Sequence, residues 1–184
     1  IIDSGLKVHW GCNSRVDTID PEMLKLMKKA GCWVIAFGIE TGDQSILNKM
    51  KKGAKVDWAK DAVKMVREAG IKSHAFMVMG LPWETKETFE NTVKFLKDLD
   101  TDFFDFNIAY PLPGTELMKI AEKENLLVIS DSGDGGYANA ALKTHSLTPE
   151  ELTEMRKKAL WEMYLRPKYI VRTLLTSGSP KNTL

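Results

Sequence analysis

Cysteine is scarce in this chain. Cys12 and Cys32 are the only two, twenty residues apart, so they form neither a C-x-x-C motif nor the framework of a secreted disulfide scaffold. Their scarcity favours a reducing compartment, and the expected location is cytoplasmic. No stretch approaches eighteen apolar residues, so no transmembrane segment is expected. Neither sign of charge dominates: Lys+Arg 26 against Asp+Glu 25 leaves a net charge of +1, with no long-range field to attract nucleic acid or an anionic membrane. The Walker pattern G-x-x-x-x-G-K-[ST], the dinucleotide pattern G-x-G-x-x-G and a nucleophile elbow are all missing, which ranks a conventional dehydrogenase or hydrolase low. His9, His74 and His145 lie far apart without metal-ligand spacing and are read as structural or exposed.

What the chain does have is a repeated strand-turn-helix cycle, clearest in the stretch GIKSHAFMVMGLPWETKETFENTV. An apolar run from Ala75 to Met79 ends at Gly80 and Pro82. Thr85 then opens a helical pattern with Phe89, Val93 and Leu96 at three- and four-residue spacings. The same cycle precedes it and a further strand follows, which predicts a parallel α/β barrel or a doubly wound sheet with its chemistry at strand C-termini. At 184 residues the chain can bury one full core and is short for a complete eight-fold barrel.

Leu6, Val8 and Trp10 suggest a first strand ending near Gly11. Asp20-Pro21 then starts a helix as N-cap and N1, with Met23, Leu24, Leu26 and Met27 facing inward. Trp33 to Phe37 is the next strand, and Asp43 caps a short helix through Met50. A helix beginning after Asp57 presents Ala59, Ala62, Val63, Val66 and Ala69 to the sheet. Phe103 to Tyr110 reads as a fourth strand, and Glu116 to Glu124 as a helix. Residues 130–147 form an irregular loop whose Gly-, Ser- and Asp-rich start lacks the calcium-binding spacing. Thr148-Pro149-Glu150-Glu151 is a capping box that opens a long helix, which Pro167 breaks or kinks before a frayed tail. The expected division is 1–129 partial barrel, 130–147 loop and 148–184 helical extension. Ile1 enters without an initiator methionine, as though inside a longer protein, although removal of a tag would give the same start.

Chemistry is expected at the strand ends. Glu40, flanked by Gly38 and Gly42, can accept hydrogen bonds from a ribose diol or bind an ammonium group, or else remain a solvated carboxylate. Arg15 carries a fork that suits a ligand carboxylate or a surface ion pair. The turn Gly80-Leu81-Pro82 offers backbone groups to a polar ligand, and Trp83 either covers an aromatic ligand or packs on a helix. Asp105 and Asn107 share one strand face, which is either a cavity wall or a solvated edge. Cys12 lies near the predicted active edge with no histidine fixed beside it, so no catalytic residue and no metal ligand is assigned.

Four successive stretches carry a resemblance: Trp10 to Asp17, Gly31 to Gly42, Phe76 to Thr85 and Pro111 to Thr115. In order and spacing they resemble the radical S-adenosylmethionine superfamily. The similarity is greatest to the cobalamin-associated branch that includes the anaerobic magnesium-protoporphyrin monomethyl ester oxidative cyclases and various methyltransferases. It covers about residues 6 to 175. The resemblance implies a (β/α)6 partial barrel whose third to sixth strands lie in this chain, followed by C-terminal helices. It also implies a [4Fe-4S] cluster on a C-x-x-x-C-x-x-C loop, which reductively cleaves S-adenosylmethionine to a 5′-deoxyadenosyl radical. That loop is absent here, as is the cobalamin domain, so the chain is expected to be the inactive later part of such an enzyme. By the same resemblance, Glu40 contacts ribose or the amino group, the Val78 to Glu84 stretch (with Val78, Gly80, Leu81 and Pro82) meets adenine, and Arg15 meets cofactor or substrate. Asp105, Asn107 and Tyr110 then face a small-molecule substrate. With the first strands missing, the free edge is expected to promote a homo-oligomer. The alternative is a non-catalytic barrel-like module that binds a ligand or another protein.

Overall fold

The computed structural model describes residues 1–128 and 140–177. Four parallel strands, β1 (Trp10–Ser14), β2 (Cys32–Glu40), β3 (Lys72–Met79) and β4 (Phe103–Ile108), make one sheet in the order β1-β2-β3-β4. The helices are α1 (Pro21–Lys29), α2 (Gln44–Lys49), α3 (Val56–Glu68), α4 (Lys86–Leu99), α5 (Glu116–Lys123), α6 (Pro149–Tyr164) and α7 (Pro167–Ser177). A doubly wound sheet would reverse its strand order at a switch point. Here each strand pairs with its sequence neighbour, so the arrangement is the partial-barrel alternative with C-terminal helices.

Strand alternation sets the two faces. Ile35, Phe37 and Ile39 of β2, Ala75, Met77 and Met79 of β3, and Phe104, Phe106 and Ile108 of β4 point to one side. There they meet Leu24 of α1, Ala62, Val63 and Val66 of α3, Phe89 and Leu96 of α4, and Leu152 and Met163 of α6. The other side carries Gly11, Asn13, Ala36, Gly38, His74, Phe76, Phe103, Asp105 and Asn107. It remains partly exposed except near its C-terminal end, where Val78 joins Ile46, Leu81 and Ala109 in a small cluster.

Local signals explain most boundaries. Asp20 accepts from the Met23 amide at 2.9 Å and caps α1, with Pro21 in its first turn. Thr85 and Thr88 form a reciprocal capping box on α4, and Thr148 and Glu151 form the one expected on α6. The helix expected after Asp57 begins at Val56. The final helix, α7, begins at Pro167 itself, because proline fits a helix's first turn, where no intrahelical amide bond is lost.

Two expectations are corrected. The first strand runs over Trp10–Ser14 rather than Leu6 to Trp10; Leu6 is exposed, and the Trp10 indole donates to the Ala30 carbonyl at 2.8 Å. Leu26 of α1 is also exposed, because two residues turn a helix by about 200° and the buried Leu24 holds the inward position. Of the irregular segment, residues 129–139 lie outside the described part, as do 178–184. Beyond it, Leu142 is buried and bridges Leu127 in antiparallel fashion.

Cations close the far ends of the helices. Asp100, the left-handed C-cap of α4, pairs with Lys168 at 2.7 Å and Arg172 at 3.3 Å, while Arg166 donates to the Lys97 carbonyl at 3.0 Å. Positive groups from α7 thereby sit at the negative end of the α4 dipole. Arg156 of α6 donates to the Phe106 carbonyl at 2.7 Å and covers part of the outer edge of β4, whereas the outer edge of β1 pairs with no strand among the described residues.

Candidate functional site at the strand C-termini

The ends of β1 and β2 are joined through one loop, the one that carries Lys52. In β2 the register shifts between Gly38 and Glu40, and Glu40 adopts φ +70 in a tight turn closed by the Thr41 amide donating to the Ile39 carbonyl at 2.9 Å. That left-handed conformation is uncommon for a residue with a side chain. The Glu40 carboxylate folds back over Gly38, whose lack of a side chain makes room: a Cβ there would stand 2.5 Å from Glu40 Oε1. Lys52, from the connection between α2 and α3, donates to both Glu40 Oε1 and the Gly38 carbonyl. Arg15 reaches the Lys52 carbonyl at 3.4 Å, and its guanidinium forms a bidentate pair with Asp17 at 2.8 Å. Arg15 and Glu40 therefore belong to one chain of alternating charges.

The turn after β3 is organised by a buried acid. The Gly80 amide donates to Glu84 Oε2 at 2.5 Å, with Gly80 at φ +79, and the Glu84 amide returns to the Leu81 carbonyl at 2.9 Å. Glu84 is wholly buried, and its Oε1 finds no hydrogen-bond partner among the described residues. Burial pushes its carboxyl up to about 7, opposed by the Gly80 hydrogen bond and assisted by the nearby Asp43. From outside, the segment beyond the described gap clamps this turn: the Thr144 hydroxyl donates to the Glu84 carbonyl at 3.0 Å and the His145 amide to the Pro82 carbonyl at 2.9 Å. Trp83 packs on the Ile46, Leu81 and Ala109 cluster with the Lys49 ammonium over its ring, so its helix-packing alternative holds.

Val78 lies opposite Asn107 in register, and the Ala109 amide donates to the Met79 carbonyl at 2.7 Å, placing the exposed Tyr110 beside the end of β3. Asp105 does share a face with Asn107, but one step further from the strand ends. There it bonds His74 Nε2 at 2.8 Å, among Phe76, Phe103 and Trp33. Asp105 is thus tied to His74 and separated from the Glu40 cluster. The sequence reading makes His74 structural or exposed and counts Glu84 only as the end of the Val78 to Glu84 stretch; it gives Lys52 no part in the site. The proximity of Lys52 to Gly53 at a loop is the only local hint, and its partner is set by tertiary structure.

Cys12 and Cys32 point toward the helix-covered side, where the Cys32 thiol donates to the Val34 carbonyl at 3.6 Å. Burial raises both thiols, Cys32 to about 11 with Cys12 nearby adding to the shift. A [4Fe-4S] cluster with an open iron needs three thiolates. Two inward-facing, protonated thiols do not fit it, and the described residues contain no group of three metal-ligating side chains.

A parallel sheet whose strands pair in sequence order, with helices in the connections, defines an α/β partial barrel. Residues 1–96 match the family model of the radical SAM superfamily, and the chain belongs to that superfamily. It is 35% identical over 174 residues to an uncharacterised methyltransferase of Pyrococcus horikoshii, covering 95% of this chain and 38% of the relative. It is 33% identical over 150 residues to the anaerobic magnesium-protoporphyrin IX monomethyl ester cyclase of Cereibacter sphaeroides, covering 80% and 24%. Among solved structures, a radical S-adenosylmethionine methyltransferase of Kitasatospora setae superposes with TM-score 0.64 at 20% identity, covering 88% of this chain and 37% of the other. The coproporphyrinogen III oxidase of Escherichia coli, a radical SAM enzyme, gives 0.62 at 15%, covering 85% and 32%. The chain thus spans well under half the length of these relatives. Among the described residues no helix is long and apolar enough to cross a membrane.

Proposed function

We propose that this chain supplies the nucleoside-binding wall and part of the substrate wall of a longer S-adenosylmethionine-dependent radical enzyme, one that closes a ring or transfers a methyl group and is associated with cobalamin. The observation that carries the reading is Glu40. Its carboxylate is fixed at the C-terminal end of β2, with Oε1 engaged and Oε2 without a partner among the described residues. An unpaired carboxylate oxygen at a barrel strand end is a ready acceptor for a nucleoside hydroxyl.

In this reading, Val78 and the Gly80-Leu81-Pro82 turn form the adenine-facing side, and Arg15 faces the cofactor or substrate from the end of β1. Asp105, Asn107 and Tyr110 line the path to a small molecule. When bound and reduced by a cluster, S-adenosylmethionine supplies a carbon radical for hydrogen abstraction. The residues of this sequence do not supply the cluster thiolates, so alone they bind and orient without initiating that chemistry. The two thiols suit a cytoplasmic setting, and the unpaired edge of β1 suits association with further strands or a second copy.

Calorimetric titration with S-adenosylhomocysteine tests the nucleoside reading. Measurable binding that weakens about tenfold in Glu40→Gln supports it, as expected for loss of one charge-assisted hydrogen bond. No binding, or an unchanged Glu40→Gln, overturns it. Iron and acid-labile sulfide measured in the anaerobically prepared parent protein test the radical assignment, with about four of each per polypeptide expected.

A further inference from the structure

Helix α6 has two apolar flanks, and the core uses one. Leu152, Ala159 and Met163 are buried there. At about 100° per residue, Arg156, Leu160 and Tyr164 form the next row round the helix, with Lys157 and Trp161 in the row beyond. These five side chains line a pocket of about 320 Å³ beside the outer edge of β4. A lone exposed apolar side chain is ordinary, but here Trp161 is 60% exposed and Tyr164 43% within one patch. The remaining flank, with Glu154, Lys158 and Glu162, is polar.

The walls of this pocket are fixed. The Tyr164 ring packs on Phe104 and Tyr169, with centroids 4.8 and 5.4 Å away. Burial raises its phenol above the usual range, with Tyr169 and Asp105 adding to the shift and Arg156 opposing it, so the hydroxyl keeps its proton. Arg156 Nε donates to the Phe106 carbonyl at 2.7 Å. That bond holds the guanidinium and leaves its two terminal nitrogens, themselves a two-donor fork, without a partner among the described residues. Charge is also unbalanced. Of the consecutive cations Arg156, Lys157 and Lys158, only Lys158 meets an acid, Glu162 at 4.0 Å on the polar flank; Lys157 pairs with none among the described residues. Asp105, whose charge reaches Tyr164, is bonded to His74 Nε2 at 2.8 Å. A cationic ligand would be repelled by two uncompensated charges, and a neutral one would leave the Arg156 fork unused. An aromatic anion meets both features, with its ring against Trp161 and its charge at the fork. The volume lies at the lower end of the range for small-ligand pockets, about 300–1,000 Å³, which favours a small molecule over a protein partner.

We propose that this flank of α6 binds a small aromatic carboxylate, its ring stacked on Trp161 and its carboxylate held by the terminal nitrogens of Arg156, with Lys157 adding a second positive charge. The nucleoside reading uses none of these residues, so the two stand or fall separately.

Titration of the purified protein with 2-naphthoate, followed by NMR through the tryptophan indole N–H signals, tests the site. Trp161→Phe identifies which of the five indole signals belongs to Trp161. That signal is expected to shift saturably with 2-naphthoate, and 2-naphthamide, the same ring without the charge, binds about tenfold more weakly. Arg156→Lys keeps the charge but loses the fork, and weakens 2-naphthoate about tenfold. Lys157→Gln weakens it about threefold, as expected of an exposed charge, and Lys158→Gln on the polar flank leaves it unchanged. Both lysines are exposed, so their comparison reads the site without disturbing the bond between Arg156 and β4. Naphthamide binding stays constant in all three variants. A Trp161 signal that does not move with 2-naphthoate overturns the proposal. Equal affinity for the amide reduces the flank to an apolar patch, and equal effects of Lys157→Gln and Lys158→Gln reduce the recognition to a diffuse field; either result overturns it too. A Trp161 signal that shifts with protein concentration alone means that a second copy covers the flank, and the small-molecule assignment fails.

Discussion

The helix-covered and open faces of the sheet are built from the same strands, residue by alternate residue, yet they carry different chemistry. On the covered side Phe37, Met77 and Phe106 are enclosed by other apolar side chains. On the open side Trp33 and Phe103 remain 47% and 39% exposed, beside the His74–Asp105 pair. Parallel sheets are ordinarily covered on both faces. Burial here is concentrated on one face, which leaves the other with room for polar pairs such as His74–Asp105.

Truncation should separate the faces most clearly. Phe106→Ala on the covered side is expected to cost about 3–5 kcal/mol, whereas Phe103→Ala, three residues earlier on the open side, costs less than about 1 kcal/mol. Urea unfolding midpoints measure both, and equal losses would mean that the open face is as well packed as the core.

Glu84 belongs to neither face, and pH sharpens the comparison there. Below about 4.5 its carboxyl is protonated in both the folded and unfolded chain; between about 4.5 and 7 only the folded chain retains the proton. Its contribution is therefore fully present in acid and is lost as pH rises through about 7, a change of about 3 kcal/mol. Glu84→Gln, neutral throughout, should flatten this part of the stability profile. A slope that survives the substitution would locate the titration elsewhere.

A smaller effect is expected where the helix layer approaches the sheet end. A Cβ on Gly42 would collide with the Phe95 side chain, so Gly42→Ala should destabilise by about 1–3 kcal/mol through overpacking. An unchanged thermal midpoint would show that α4 yields freely. The least perturbing probe is thiol labelling. Cys12, the more accessible of the pair, should react before the buried Cys32, and labelling of Cys32 should track unfolding. Equal rates in the folded protein would contradict the packing of β1.

Much of the fold is legible in the sequence because the inner strands are apolar runs, although β3 fully buries only alternate residues. The run Ala75 to Met79 needs only Gly80 and Pro82 to mark its end. β1 is not legible in the same way. Its actual residues, Trp-Gly-Cys-Asn-Ser, pair with only one strand and have one exposed face, so the alternation at Leu6, Val8 and Trp10 imitates a strand more convincingly than the strand itself. At the site, Glu40 can be picked out between Gly38 and Gly42, but its tie to Lys52 crosses a whole helix. Glu84 reads as an ordinary loop acid until the turn folds around it and the Thr144–His145 segment closes over the turn. The His74–Asp105 pair likewise depends on the register between β3 and β4, which neither strand states alone.

The sequential strand order also governs how the chain assembles. Each strand pairs only with the one before or after it in the sequence, across a single crossover connection. No pairing has to wait for the far end of the chain, and loop closure costs rise only slowly with connection length. A nascent polypeptide can therefore extend this sheet one unit at a time, adding each new strand to an edge that its predecessor has already exposed.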